Sequence, residues 1–191
     1  MRSIGRIAVI VLAGVVAATA ADAQGRRKRE REGEQAPPPV PQADKRDRLV
    51  AAPGTPFNGR PYWLAMAQCG GIYFKLNTLY SGAAIQARLG KPPDAAANAQ
   101  FSKKSDAARR TATAFFEAAE RFLTADRGVA REEAMLTSDA RATVEGDRHK
   151  TIETAEQATK PCPALYQVCR EANPKFCPEP ALSAGLPQAG S

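Results

Sequence analysis

Between Tyr62 and Leu89 apolar residues recur at three- and four-residue steps. Met66, Cys69, Tyr73, Leu76, Tyr80 and Ala83 form a stripe that Ile72 and Leu79 widen. This is the period of an α-helix, and it predicts one that starts near Pro61 and stops at Gly90-Lys91-Pro92-Pro93. Proline suits a first helical turn because the N–H it lacks has no partner there. A second stripe of Phe101, Ala108, Ala112, Phe115, Ala119 and Phe122 is flanked by Phe116 and Leu123. It predicts a helix that opens over 94–98 and runs to about Asp126, with Glu117 and Arg121 paired at i,i+4 on its polar side. Asp126-Arg127-Gly128 breaks it. A third helical stretch over 130–159 is sparser, with Ala134, Met135, Leu136, Ala140, Val144, Ile152 and Ala155. It should pack along one narrow edge, and Gly146 is positioned to kink or split it. A short helix over 163–173 starts at Pro163 and ends before Pro174.

No stretch alternates with the two-residue period of a strand. The expected fold is therefore all-α, a small antiparallel bundle of three longer helices plus a short C-terminal helix, covering residues 57–178. Aromatics make up only 6% of the chain, so such a core must rest mainly on Ala, Leu, Val and Ile. Gly70-Gly71 interrupts the first helix at about 1 kcal/mol per glycine relative to alanine. Two readings account for that cost: close approach of a neighbouring helix, or the floor of a groove.

The segments outside the bundle have a different composition. Arg2 and Arg6 precede an apolar and small run over 7–21, and Ala21-Asp22-Ala23 supplies a small-residue cleavage box. This is the pattern of a secretory signal peptide over residues 1–23, cut near Ala23-Gln24. The alternative is an uncleaved membrane anchor, because Arg26, Arg27, Lys28, Arg29 and Arg31 follow at once and positive charge resists translocation. Residues 24–56 are charged and proline-rich, with APPPVPQ at 36–42, and read as a disordered basic linker. Residues 179–191 read as a flexible tail.

Cys69, Cys162, Cys169 and Cys177 all lie beyond the signal and form an even set. In an exported protein they would pair as two disulfides. If 163–173 is helical, Cys162 and Cys169 stand about 10 Å apart along the axis, too far to bridge. The preferred scheme is Cys69 with Cys162 and Cys169 with Cys177. The alternative is Cys69 with Cys169 and Cys162 with Cys177. Either scheme staples the first helix to the C-terminal hook. No pair has the Cys-x-x-Cys spacing of a redox site.

Net charge is +7, and removing residues 1–23 takes away two arginines and one aspartate, leaving +6. Half of that lies in residues 24–48, so the folded part is only mildly basic. A nucleic-acid partner is not expected, since the densest basic run is in a tail without groove-reading elements. Weak contact of Arg26, Arg27, Lys28, Arg29 and Arg31 with an anionic surface is the functional reading of that run. One histidine, no Cys-x-x-Cys-His and no glycine-rich phosphate loop leave haem, a conventional zinc site and nucleotide chemistry unsupported, and no cofactor is expected.

His149 lies in a charged segment with Glu145 and Glu153 at i−4 and i+4, which reads as a surface imidazole rather than a catalytic base. Tyr62, Trp63, Tyr73, Phe74 and Tyr80 crowd the first helix. All five rings could line a ligand groove, and Tyr62, Trp63, Tyr73 and Tyr80 form the candidate binding surface with Gly70 and Gly71. The expected function is that of an exported, periplasmic, non-catalytic interaction or structural module with a protein partner in the cell envelope. The alternative is a periplasmic small-ligand binder with a pocket between helices near Gly70-Gly71.

Overall fold

The computed structural model describes residues 41–178. Among these described residues five α-helices follow one another: α1 Tyr62–Leu89, α2 Ala95–Phe122, α3 Arg131–Asp147, α4 Ile152–Thr159 and α5 Cys162–Ala172. A π-helical turn, Leu123–Arg127, joins α2 to α3 and closes on Gly128 at φ 67°, a left-handed position that glycine fills without strain. No strand occurs among the described residues, only an isolated bridge between Leu49 and Pro61. The small all-α bundle predicted from the periodicity is what the chain forms.

Local chemistry sets the helix ends. Asp94 caps α2, its carboxylate accepting from the Ala97 N–H at 2.8 Å. Thr151 caps α4 in a reciprocal box with Thr154. That cap is one reason the predicted 130–159 helix is two helices. The other is that Gly146 is pressed against α1, so the chain turns out of the crossing at 148–151 before α4 begins.

α1 is the central element, and residues 62–73 are buried on every side. α2 packs antiparallel to it. Tyr62 stacks on Phe122 with ring centroids 4.9 Å apart at one end, and Tyr80 meets Phe101 at 6.3 Å at the other. α3 contributes the narrow edge expected of it: Ala134, Ser138, Ala142 and Gly146, every fourth residue, are buried.

The segment before α1 departs from expectation. The composition predicts a disordered linker over 24–56, yet residues 44–61 form a packed strap, and the domain begins near Asp44. Val50, Ala52 and Phe57 are buried in the common core. The Val50 N–H donates to the Arg60 carbonyl, and the Gly59 N–H donates back to the Val50 carbonyl, each at 2.9 Å. Asp47, its side chain fully buried, accepts two bonds from Arg127 at 2.7 and 2.9 Å. Arg48 pairs with Asp126 at 3.0 Å. The Arg127 guanidinium also lies 4.9 Å over the Trp63 ring. Charges that looked solvated in the linear sequence are thus answered from the turn after α2. Of the other assigned segments, residues 1–23, most of the linker with Arg26, Arg27, Lys28, Arg29 and Arg31, and the tail 179–191 lie outside the described residues.

Two disulfides close the bundle, in the preferred scheme. Cys69 is bonded to Cys162 with Cα atoms 5.8 Å apart, and Cys169 to Cys177 at 5.9 Å. All four sulfurs are buried. The first bond ties mid-α1 to the start of α5. The second folds the chain back after Asn173, whose carbonyl accepts the Cys177 N–H at 3.1 Å.

Candidate functional site: a groove over the α1–α3 crossing

The two glycines of α1 meet different neighbours. A Cβ on Gly71 would lie 2.1 Å from the Ala142 carbonyl oxygen, and one on Gly146 would lie 2.9 Å from the Gly71 carbonyl oxygen. The α1 and α3 backbones therefore touch, and only hydrogen fits between them at Gly71. Gly70 instead faces the Phe116 ring of α2, 2.5 Å from a hypothetical Cβ. Both sequence readings apply: the pair allows close packing, and Gly71 also floors a groove.

That groove is an open concavity of about 430 Å³. α1 forms its floor with Gly71, Phe74, Lys75 and Thr78, and α2 lends Phe116 as one wall. α3 forms the other wall with Asp139, Ala142, Thr143, Gly146 and Asp147. Phe74 is 54% exposed and lies 6.5 Å from the Phe116 ring, tilted to it. Met135 and Leu136, both exposed, precede Asp139 by one turn and Thr143 by two on the same side of α3. Lys75 pairs with Asp147 at 3.5 Å across one end. The two hydroxyls are committed locally: Thr78 donates to the Phe74 carbonyl at 3.2 Å and Thr143 to the Asp139 carbonyl at 2.9 Å.

The candidate surface read from the sequence needs correction here. Tyr62, Trp63, Tyr73 and Tyr80 are buried, because α1 is surrounded by neighbouring elements and not packed on one side only. Burial, slightly opposed by Thr159, pushes the Tyr73 hydroxyl up to about 12. Tyr80 donates to Glu156 of α4, with Lys104 of α2 at 3.6 Å from the same carboxylate. Of the six residues of that surface, Gly70 is sealed by Phe116 and only Gly71 lines the groove, beside Phe74, which that surface does not include. Sequence reading did not assign Phe116, Lys75, Asp139, Thr143 or Asp147 to it. The four small residues of α3 spaced by four were the available signal, since they match the glycine pair in α1.

His149 also moves. It is only 17% exposed and sits 3.7 Å from Glu145, itself 16% exposed. Glu145 accepts from Gln68 of α1 at 3.2 Å and from Arg148 at 3.1 Å, and Gln68 accepts from Arg60 at 2.9 Å. Glu153 no longer stands at i+4 on the same helix, because the chain breaks before α4. This cluster ties the strap, α1 and the end of α3 together, and none of its residues lines the groove. All four cysteines are in disulfides, so no free thiol accompanies it. No helix among the described residues is long and apolar enough to cross a membrane.

Compared with family models, curated proteins and solved structures, the chain matches none.

Proposed function

We propose that this chain is an exported, non-catalytic interaction module of the cell envelope, and that it docks a segment of a partner protein in the groove of α1, α2 and α3. The observation that carries the reading is Phe74, a large ring more than half exposed beside Phe116 over a glycine floor. A lone exposed apolar side chain is ordinary. An exposed ring lining a concavity, with Met135 and Leu136 on the same side of α3, makes the kind of apolar surface that partners cover. Two buried disulfides support an oxidising compartment, and the leader pattern over residues 1–23 supports the periplasm as that compartment. The groove's hydroxyls and its Lys75–Asp147 pair are already engaged, which supports binding over catalysis. A small ligand seated beside Gly71 is the second reading, favoured only by the groove's volume.

The test places a photoreactive side chain at Thr78, inside the groove, and at Gln167, exposed on α5, in the full-length protein in its native host. The reading expects a polypeptide adduct from position 78 and none from 167. An adduct of small mass at 78 transfers the case to the ligand reading. Absence of any adduct at 78 refutes both.

A further inference from the structure

The two ends of the groove carry different electrostatics. At one end Lys75 answers Asp147. At the other, Asp139 lines the groove, and Glu117 and Glu120 of α2 line a neighbouring depression with Arg121, Thr124 and Arg131. Arg121 answers Glu117 at 2.9 Å. Glu120 has only Arg131, at 3.9 Å from a side chain that is 89% exposed. Asp139 has no ion-pair partner among the described residues. The end therefore holds a surplus of negative charge, next to a carboxylate that is mostly buried. Burial holds the Glu120 carboxyl above its usual range; Arg131 and Arg121 act to lower it, and Asp139 and Glu117 to raise it. Like charges in a partly dry site repel more strongly than in water, so a cation supplied from outside would relieve this end.

Resting on the reading of the groove as a polypeptide-docking site, we infer that the segment it takes carries a lysine or arginine about one helical turn from an apolar anchor. The anchor seats on Phe74 and Phe116 over Gly71, and the cation meets Asp139. The spacing follows from α3. Gly71 touches α3 at Ala142, and Asp139 lies three residues before it, roughly 5 Å along the axis. Residues three or four apart on a partner helix span the same distance. An acidic segment would meet Asp139 with like charge and be excluded, which is how complementary charge confers specificity.

The experiment uses the full mature chain with both disulfides intact. Three fluorescent alanine-based peptides of about 15 residues, long enough to form helix, carry a central leucine. Four residues away they carry Arg, Gln or Glu. Anisotropy titrations against wild type, D139K and F74S are compared. Wild type is expected to bind the Arg peptide at least roughly ten-fold more tightly than the Glu peptide. D139K should reverse that order, and F74S should weaken all three. Equal binding of the three peptides by wild type, or an order that survives D139K, overturns the inference while leaving groove docking intact. So does failure of every peptide to bind when position 78 still yields a polypeptide adduct in cells. Loss of that adduct is the separate failure of the docking reading itself.

Discussion

Replacing Gly71 with alanine adds one methyl group at the α1–α3 crossing, and its cost can be worked from the geometry. The new Cβ would stand 2.1 Å from the Ala142 carbonyl oxygen and 2.6 Å from the Ala142 carbonyl carbon and Cα. All three are backbone atoms of a packed helix, so no side chain can swing aside, and α3 must move off α1 by about 1 Å. Overpacking of this kind costs about 3 kcal/mol, the upper part of its usual range. Alanine returns about 1 kcal/mol through its better helix propensity. The net loss is about 2 kcal/mol, or roughly 8 °C in Tm for a domain of this size. Two glycines of the same helix serve as controls. Gly70→Ala meets only the half-buried Phe116 ring, which can rotate toward the groove, so propensity offsets the clash and stability changes little. Gly82→Ala meets nothing within 4 Å and should gain about 1 kcal/mol. Guanidinium unfolding of the oxidised proteins at 25 °C, followed by circular dichroism, gives the order. If G71A proved as stable as G82A, the claim that two backbones touch at Gly71 would be wrong.

Three further outcomes are expected. Removing the Cys69–Cys162 bond as a double alanine variant frees a 93-residue separation and should cost about 4–5 kcal/mol in the chain-entropy account, against about 2–3 for Cys169–Cys177 with its separation of 8; denaturant midpoints of the two variants should fall in that order. Asp47→Asn leaves Arg127 without its carboxylate and should cost about 3 kcal/mol at neutral pH. Burial raises the Asp47 carboxyl, but the Arg127 hydrogen bonds and charge and the Asp44 N–H together lower it by more, so its folded value is depressed. Its contribution is therefore complete above about pH 4 and is lost as pH falls through the folded value, and the gap between D47N and wild type should close in acid. Glu120 runs the other way. Its folded value is raised, so the ionised form opposes folding, the penalty develops as pH rises from about 4 toward the folded value, and it persists above. Glu120→Gln should be more stable than wild type at pH 7 and equal to it in acid, as read by thermal unfolding across pH.

What could be read from the linear order depended on distance along the chain. The helices of the bundle rest on a period of three to four residues, and the period survives in the structure. Seven residues of helix set Cys162 and Cys169 too far apart, which leaves two disulfide schemes, and the structure adopts the preferred one. The strap was missed because its partners are remote: Asp47 and Arg48 look like solvated charges until Arg127 and Asp126, about 80 residues later, are brought beside them. The candidate site was half legible. Gly70-Gly71 pointed to the right turn of α1, but the stripe reading treated α1 as one-sided. Strap, α2 and α3 surround its first half, so Tyr62, Trp63 and Tyr73 became core and the next ring, Phe74, was left at the surface.

The sequence by itself determined that the chain is helical, where most helices start and stop, and which two sulfurs cannot meet, because caps, prolines and side-chain periods act within a few residues. Only the tertiary structure decided which face of each helix stays open. A stripe shows that a face will be buried, not what will cover it. The groove exists because Gly71, Ala142 and Gly146 let two backbones touch at one point while Phe74 and Phe116 cannot close over it.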